Sequence, residues 1–278
     1  MGVRRAVDLA CDHAKAGTVY TFGPLIHNPR ALEELGSLGV QVMDESRLPE
    51  NLNGVTVIIR AHGISPQTEA ALHERGANVV DATCPRVKAS QLKAAALAEA
   101  GYRLFLAGEK HHAEIAGITG YAGAAFYAAV GNAAEAEDSA ARLSADFSGV
   151  KTALIGQTTI TTEEYMAIGK TIKKYFPNLE IAQTICPVTG KRQESLRKLM
   201  DRVDAFIIAG GKESANTRRL LAVAQTSGKP CALVESDAEI PPGFFCFESV
   251  GLAAGTSTPD SIIDAIERAL TSAGQNHQ

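Results

Sequence analysis

Two cysteines sit in matching surroundings, DATCPRVKASQL at residues 81–92 and QTICPVTGKRQESL at residues 183–196. In each, a strand-like stretch delivers a Cys, a Pro follows, and a basic amphipathic pattern begins. This predicts Cys84 and Cys186 at helix N-termini, with Pro at the first helical position. The positive end of a helix dipole favours a thiolate there, and thiolates are metal ligands. The alternative is a pair of buried small hydrophobes, a common fate of a free Cys. Cys11, Cys231 and Cys246 bring the total to five, an odd number spread over a long chain and a poor disulfide framework. Cys11 falls on the apolar stripe of the first helical pattern, and Cys231 and Cys246 fall in apolar strand-like stretches, so packing is expected of all three.

A second set of polar residues recurs at one kind of place. Apolar runs at residues 19–22, 55–59, 103–107, 152–155, 205–209 and 249–253 read as buried strands. The segments that follow them are GPLIHN, RAHGIS, GEKHHAE, GQTT, GGKESAN and AGTSTPD. In an open parallel sheet, ligands bind beyond the carboxyl ends of the strands. His27, His62, His112, Glu114, Thr158, Ser214, Asn216 and Ser257 therefore occupy comparable edges, and six loops of one character point to one shared cavity. Taken singly, each loop fits helix caps and turns equally well.

The elements that must position these residues alternate along the chain. Helical patterns at residues 87–100, 163–175, 191–200, 217–227 and 261–273 separate the strands, giving an α/β protein with largely parallel sheets and right-handed crossovers. The 278 residues are 45% apolar and 21% charged, enough to bury a sizeable core, and length alone implies about two domains. A net charge of −4 and a sequence pI of about 6.0 argue against nucleic acid as a partner. No run reaches the ~18 apolar residues of a membrane span, and MGVRRAVDLACDH turns charged before a signal segment can form, which points to the cytoplasm.

The repeat extends to the front of the chain. Val3-Arg4-Arg5-Ala6 lines up with Val87-Lys88-Ala89-Ser90 when Met1 is set opposite Pro85, so the matching thiol falls one position ahead of Met1. The sequence is thus expected to start inside a motif. Three related α/β domains are implied, residues 1–83, 84–185 and 186–278, the last ending in a disordered tail, each of about 90 residues.

With these motifs in hand, the chain resembles the 4-hydroxy-3-methylbut-2-enyl diphosphate reductase family of iron-sulfur enzymes. The resemblance rests on GVRRAV, IHN at 26–28, AHGIS at 61–65, DATCP at 81–85, HHAEIAG at 111–117, GQTT at 156–159, ICPVTGKRQ at 185–193, KESAN at 212–216 and AGTSTPD at 254–260, in order along almost the whole chain. It implies three α/β domains with mainly parallel sheets in pseudo-threefold arrangement around a central site. There, three cysteines hold a 4Fe-4S cluster with one iron open to the substrate hydroxyl. Cys84 and Cys186 are two of the ligands so implied; the third belongs to a Gly-Phe-Cys element ahead of GVRRAV. Cys11 is a poor substitute, because ten residues along a helix displace it by ~15 Å.

The resemblance also implies roles. His27, His62, Ser214, Asn216 and Ser257 hold the diphosphate, with His112 lining the same pocket. Glu114 supplies the proton with which the hydroxyl leaves as water, and Thr158 orients that hydroxyl or relays the proton. A general acid must be protonated near neutral pH, so partly desolvated or already negatively charged surroundings are expected for Glu114; a solvated loop carboxylate is the alternative. Ala215 stands where a hydroxyl residue is associated with the family, and Lys110 and Lys212 flank the site, drawing in the anion or simply solvated. The electron donor implied is a flavodoxin or ferredoxin. One competing function is a clusterless diphosphate-binding protein without turnover. A second, a phospho-sugar transferase, lacks a GxGxxG or P-loop signature, and the long Cys separations match no compact zinc motif.

Overall fold

A computed structural model describes residues 2–26, 28–146 and 149–275. Helix α1 (Gly2–Ala14) leads into β1 (Val19–Phe22), α2 (Pro29–Ser37), β2 (Val40–Met43), β3 (Thr56–Ile59), α3 (Pro66–Glu74) and β4 (Asn78–Asp81). The next stretch runs α4 (Pro85–Glu99), β5 (Arg103–Ala107), α5 (Ala113–Ala122), β6 (Phe126–Val130), α6 (Ala133–Asp146), β7 (Thr152–Gly156), α7 (Thr162–Lys173) and β8 (Glu180–Ile181). The last comprises α8 (Pro187–Leu199), β9 (Ala205–Ala209), α9 (Ala215–Gln225), β10 (Cys231–Val234), β11 (Val250–Ala254) and α10 (Asp260–Gln275). The expected tail lies outside the described residues beyond Gln275.

Three sheets result, ordered β2-β1-β3-β4, β6-β5-β7-β8 and β10-β9-β11. Every strand pairing among the described residues is parallel. In each sheet the first strand pairs with both the second and the third, so the chain order reverses beside it. That reversal is the topological switch point, where loops leaving the two neighbouring strands part and open a crevice. The six loops singled out in the sequence leave these switch-point strands, β1 and β3, β5 and β7, β9 and β11.

Strand alternation accounts for the cores. On the middle sheet Phe105, Ala107 and Leu154 pack toward α6 and α7 with Tyr165 and Ile168, while Leu104, Leu106, Ala153 and Ile155 pack toward α4 and α5 with Ala94 and Ile118. With both faces covered, the central strands carry nearly continuous apolar runs. The last sheet repeats the pattern: Ala205, Ile207 and Ala209 face Ile262 and Ile266, whereas Phe206 and Ile208 face Leu196 and Leu220.

The chain forms two compact units, one of Met1–Leu25 with Leu35–Cys186 and one of Ile26–Glu34 with Pro187–Gln278. The first two sheets belong to the first unit and the last sheet to the second. No helix among the described residues is long and apolar enough to cross a membrane.

Candidate active site

In the first unit, Glu114 lies in the first turn of α5 and is 1% exposed, which overturns the solvated-loop alternative. Its carboxylate accepts from the Thr158 N–H at 2.6 Å and from the Thr158 hydroxyl at 2.9 Å. A hydroxyl rotor can donate to a carboxylate or accept from a carboxylic acid, so this pair suits either protonation state. His112 is the N-cap of α5, its Nδ1 accepting from the Glu114 N–H at 3.1 Å. The ring meets that of His62 edge-on, with centroids 5.1 Å apart. Loops leaving β3, β5 and β7 thus bring His62, His112, Glu114 and Thr158 together.

Two buried amides hold these loops. Gln157 accepts from the Glu109 N–H at 3.0 Å, tying the loop after β5 to the end of β7. Gln91, fully buried in α4, lies under the turn after His62 at Gly63, whose φ of +73° and absent Cβ make room for the amide. Neither role was assigned from the sequence. Gln91 carried a signal nonetheless, being a polar residue on the Val87–Gln91–Ala94 spacing of an apolar helix face.

Cys84 and Cys186 immediately precede α4 and α8, with Pro85 and Pro187 as the first helical residues. Cys84 donates its N–H to Ala61 at 2.9 Å, beside His62, and makes no side-chain capping bond. Cys186 donates to the Thr158 carbonyl at 2.8 Å, and the Thr184 hydroxyl exchanges hydrogen bonds of 2.8 and 2.9 Å with Gly156 just ahead of it. Each thiol is therefore one backbone bond from a loop of the Glu114 site. Helix α1 is drawn to the same place: Arg5 donates to the Thr83 and Asp81 carbonyls, both at 3.2 Å, and Gly2 packs against the Cys84 side chain with no space for a Cβ.

In the second unit, Ser214 caps α9, accepting from the Thr217 N–H at 3.4 Å, and Asn216 follows in the first turn. The loop after β11 closes on the same helix end, where a Cβ on Gly255 would run into the Thr217 hydroxyl. Both amide atoms of Asn216 and the hydroxyl of Ser257 are buried with no hydrogen-bond partner among the described residues. Orphaned polar groups cost free energy unless a ligand or water completes them. The amide nitrogens of Asn28, in IHN, and Gln193, in ICPVTGKRQ, also in this unit, share that condition, and no sequence pattern assigns them a role. His27 lies outside the described residues. Lys212 pairs with Glu239 at 3.0 Å, and Lys110 is exposed. Cys231 lies in β10, where burial pushes its thiol pKa up, and Cys11 is half-buried. Cys246, by contrast with the packing expectation, is exposed, at the end of a 3-10 turn.

Comparison with known proteins matches residues 1–271 to the profile of the family described as LytB protein. The chain belongs to the LytB family. This LytB chain is 45% identical to the 4-hydroxy-3-methylbut-2-enyl diphosphate reductase of Treponema denticola, over 97% of its own length and 94% of the relative's. It is 40% identical to that of Aquifex aeolicus, over 96% and 90%. Among solved structures, one titled (E)-4-hydroxy-3-methyl-but-2-enyl diphosphate reductase, the terminal enzyme of the non-mevalonate pathway, matches with TM-score 0.69 at 36% identity, over 98% of this chain and 95% of that one. The Plasmodium falciparum reductase shares the fold, with TM-score 0.87 at 24% identity, over 97% and 84%.

The thiols of this LytB chain fit an iron-sulfur centre at two positions. Both are outside disulfides, partly exposed, at the starts of helices and beside loops of the polar site. Among the described residues no three His, Cys, Asp or Glu side chains gather as a metal site.

Proposed function

We propose that this chain is a 4-hydroxy-3-methylbut-2-enyl diphosphate reductase, the last enzyme of the non-mevalonate route to isoprenoids, acting in the cytoplasm. In the reaction, substrate, two electrons and two protons give water and isopentenyl or dimethylallyl diphosphate. The observation that carries the reading is the buried Glu114–Thr158 pair, with Cys186 bonded to the Thr158 carbonyl. The relatives reported above all carry the reductase name, and none supports a clusterless binding protein.

Cys84 and Cys186 would hold a 4Fe-4S cluster. The close packing of Gly2 on the Cys84 side chain sets the start of α1 beside the first of these thiols. When bound, the cluster supplies single electrons and a Lewis-acidic iron. The remaining work falls to the chain. Ser214, Asn216 and Ser257 supply hydrogen bonds to the diphosphate, as do the free N–H groups at the start of α9 and the imidazoles of His27, His62 and His112. Glu114 delivers the proton that lets the hydroxyl leave as water, and the Thr158 hydroxyl holds the substrate oxygen in line with that carboxyl. A flavodoxin or ferredoxin brings the electrons from outside.

The test is anaerobic reconstitution with iron and sulfide, followed by product analysis with reduced methyl viologen as donor. Protein carrying Gly-Phe-Cys upstream of the GVRRAV helix is expected to take up about four iron and four sulfide and to form both five-carbon diphosphates. Cys84→Ser and Cys186→Ser should lose the iron, whereas Cys246→Ser should keep it. Iron retained in both of the first two variants would defeat the assignment.

A further inference from the structure

Resting on the reductase reading, we propose that the solvent face of α4 is the docking surface for an acidic one-electron carrier protein. The reaction consumes two electrons, and this sequence carries no dinucleotide or P-loop fingerprint with which to hold its own soluble reductant. A partner must therefore reach the thiols from the surface.

One surface lies beside both. A cavity of about 250 Å³ opens between α4 and the segment that ends in Cys186, its walls including Arg86, Ala89 and Lys93 on one side and Thr184 and Ile185 on the other. Arg86 is two residues beyond Cys84, and Ile185 directly precedes Cys186. At ~1.5 Å per helical residue, Arg86 and Lys93 stand only ~3 Å and ~13 Å along the axis from the start of α4. Whatever covers this cavity sits against both cysteine-bearing segments.

The surface has the character of a protein interface. Exposed residues 86, 89, 92, 93 and 96 recur three or four apart and so form one stripe of the helix. At its centre Leu92 is 56% exposed, among the most open large apolar side chains described, with Ala89 and Ala96 beside it and the cations Arg86 and Lys93 around it. An apolar centre with a charged rim is how docking patches are built. The cavity is too small for a flavin or nicotinamide cofactor, which favours a carrier that docks whole. No carboxylate lines the cavity among the described residues, although Glu180 pairs with Lys93 at its edge, at 2.7 Å. In a chain of net charge −4, a locally cationic patch selects an acidic partner and steers its approach.

The experiment is calorimetric titration of the full chain with a strongly acidic flavodoxin at low ionic strength, which requires no turnover. Arg86→Glu with Lys93→Glu is expected to weaken binding at least tenfold. A matched double reversal on α7, Lys170→Glu with Lys173→Glu, changes net charge equally and is expected to stay within twofold. Thermal melting of both variants checks that they fold. Absent binding by the unaltered chain, or equal losses in the two double variants, would overturn the assignment of α4. Turnover with reduced methyl viologen tests the reductase reading separately, because a small donor needs no docking surface.

Discussion

The carboxylate of Glu114 and residue Thr158 are joined twice, through the Thr158 backbone N–H and through its hydroxyl, across 44 positions of sequence. The two bonds can be removed separately. Thr158→Val keeps the backbone donor and deletes the hydroxyl, so Glu114 stays in place while the relay is lost. Turnover of the reconstituted enzyme is expected to fall about tenfold, the scale of one hydrogen bond of ~1.4 kcal/mol, and Thr158→Ser should restore most of it. Glu114→Gln removes the proton itself and should cost roughly 10²–10⁴-fold in kcat with little change in KM. Steady-state rates with viologen as donor check all three.

Asn216 offers a test that separates binding from folding. Its amide is buried with neither atom partnered, so Asn216→Leu removes a desolvation cost from the empty protein while deleting contacts to a ligand. The melting temperature is expected to hold or rise, and inorganic diphosphate should bind at least tenfold more weakly by calorimetry. A variant that melts lower and binds normally would show the amide to be a packing element.

Asp81 ends β4 with its carboxylate 3.0 Å from Lys88 and accepting from the Thr83 N–H at 2.9 Å. Burial works against its charge, but the Thr83 hydrogen bonds and the Lys88 ammonium outweigh it and hold the pKa below the ordinary 3.8. A pKa depressed by folding contributes stability above the unfolded value and forfeits it as pH falls through the folded one. Wild type should therefore exceed Asp81→Asn by under about 1 kcal/mol at neutral pH, the difference fading below pH ~4. Urea unfolding across that range measures it. Lys88 also donates its N–H to the Cys84 carbonyl at 2.9 Å, so loss of the pair should also loosen iron retention at Cys84.

Gly63 combines a positive φ with close approach of the Gln91 amide. Gly63→Ala should destabilise the fold by about 1–3 kcal/mol and weaken diphosphate binding by displacing His62. Denaturation midpoints and calorimetry on the same preparation read both effects.

How much of this was legible in the sequence depended on burial. Central strands such as β5 and β9 carry unbroken apolar runs because both faces are covered, and all six strands read from the sequence lie at switch points. The strands left without bounds, β2, β4, β6, β8 and β10, are edge strands; exposed Gln41 and Val42 interrupt the apolar signal of β2, and β8 is only two residues long. Helix α5 was hidden for another reason. Its cap is a histidine rather than Ser, Thr, Asp or Asn, so HHAE reads as loop, and the helical placement of Glu114 is not legible there. The Cys-Pro helix starts were readable because Pro at the first helical position is a local rule needing no tertiary context. The amides of Gln91 and Gln157 depend on contacts 27 and 48 residues away, which no local pattern encodes.

The histidine cap carries one more implication. With the Nδ1 lone pair of His112 committed to the Glu114 amide, a neutral ring must keep its hydrogen on Nε2. Toward any anion this imidazole can then only give a proton-bearing edge, and a doubly protonated ring would do so at the expense of the cap that seats its neighbouring acid.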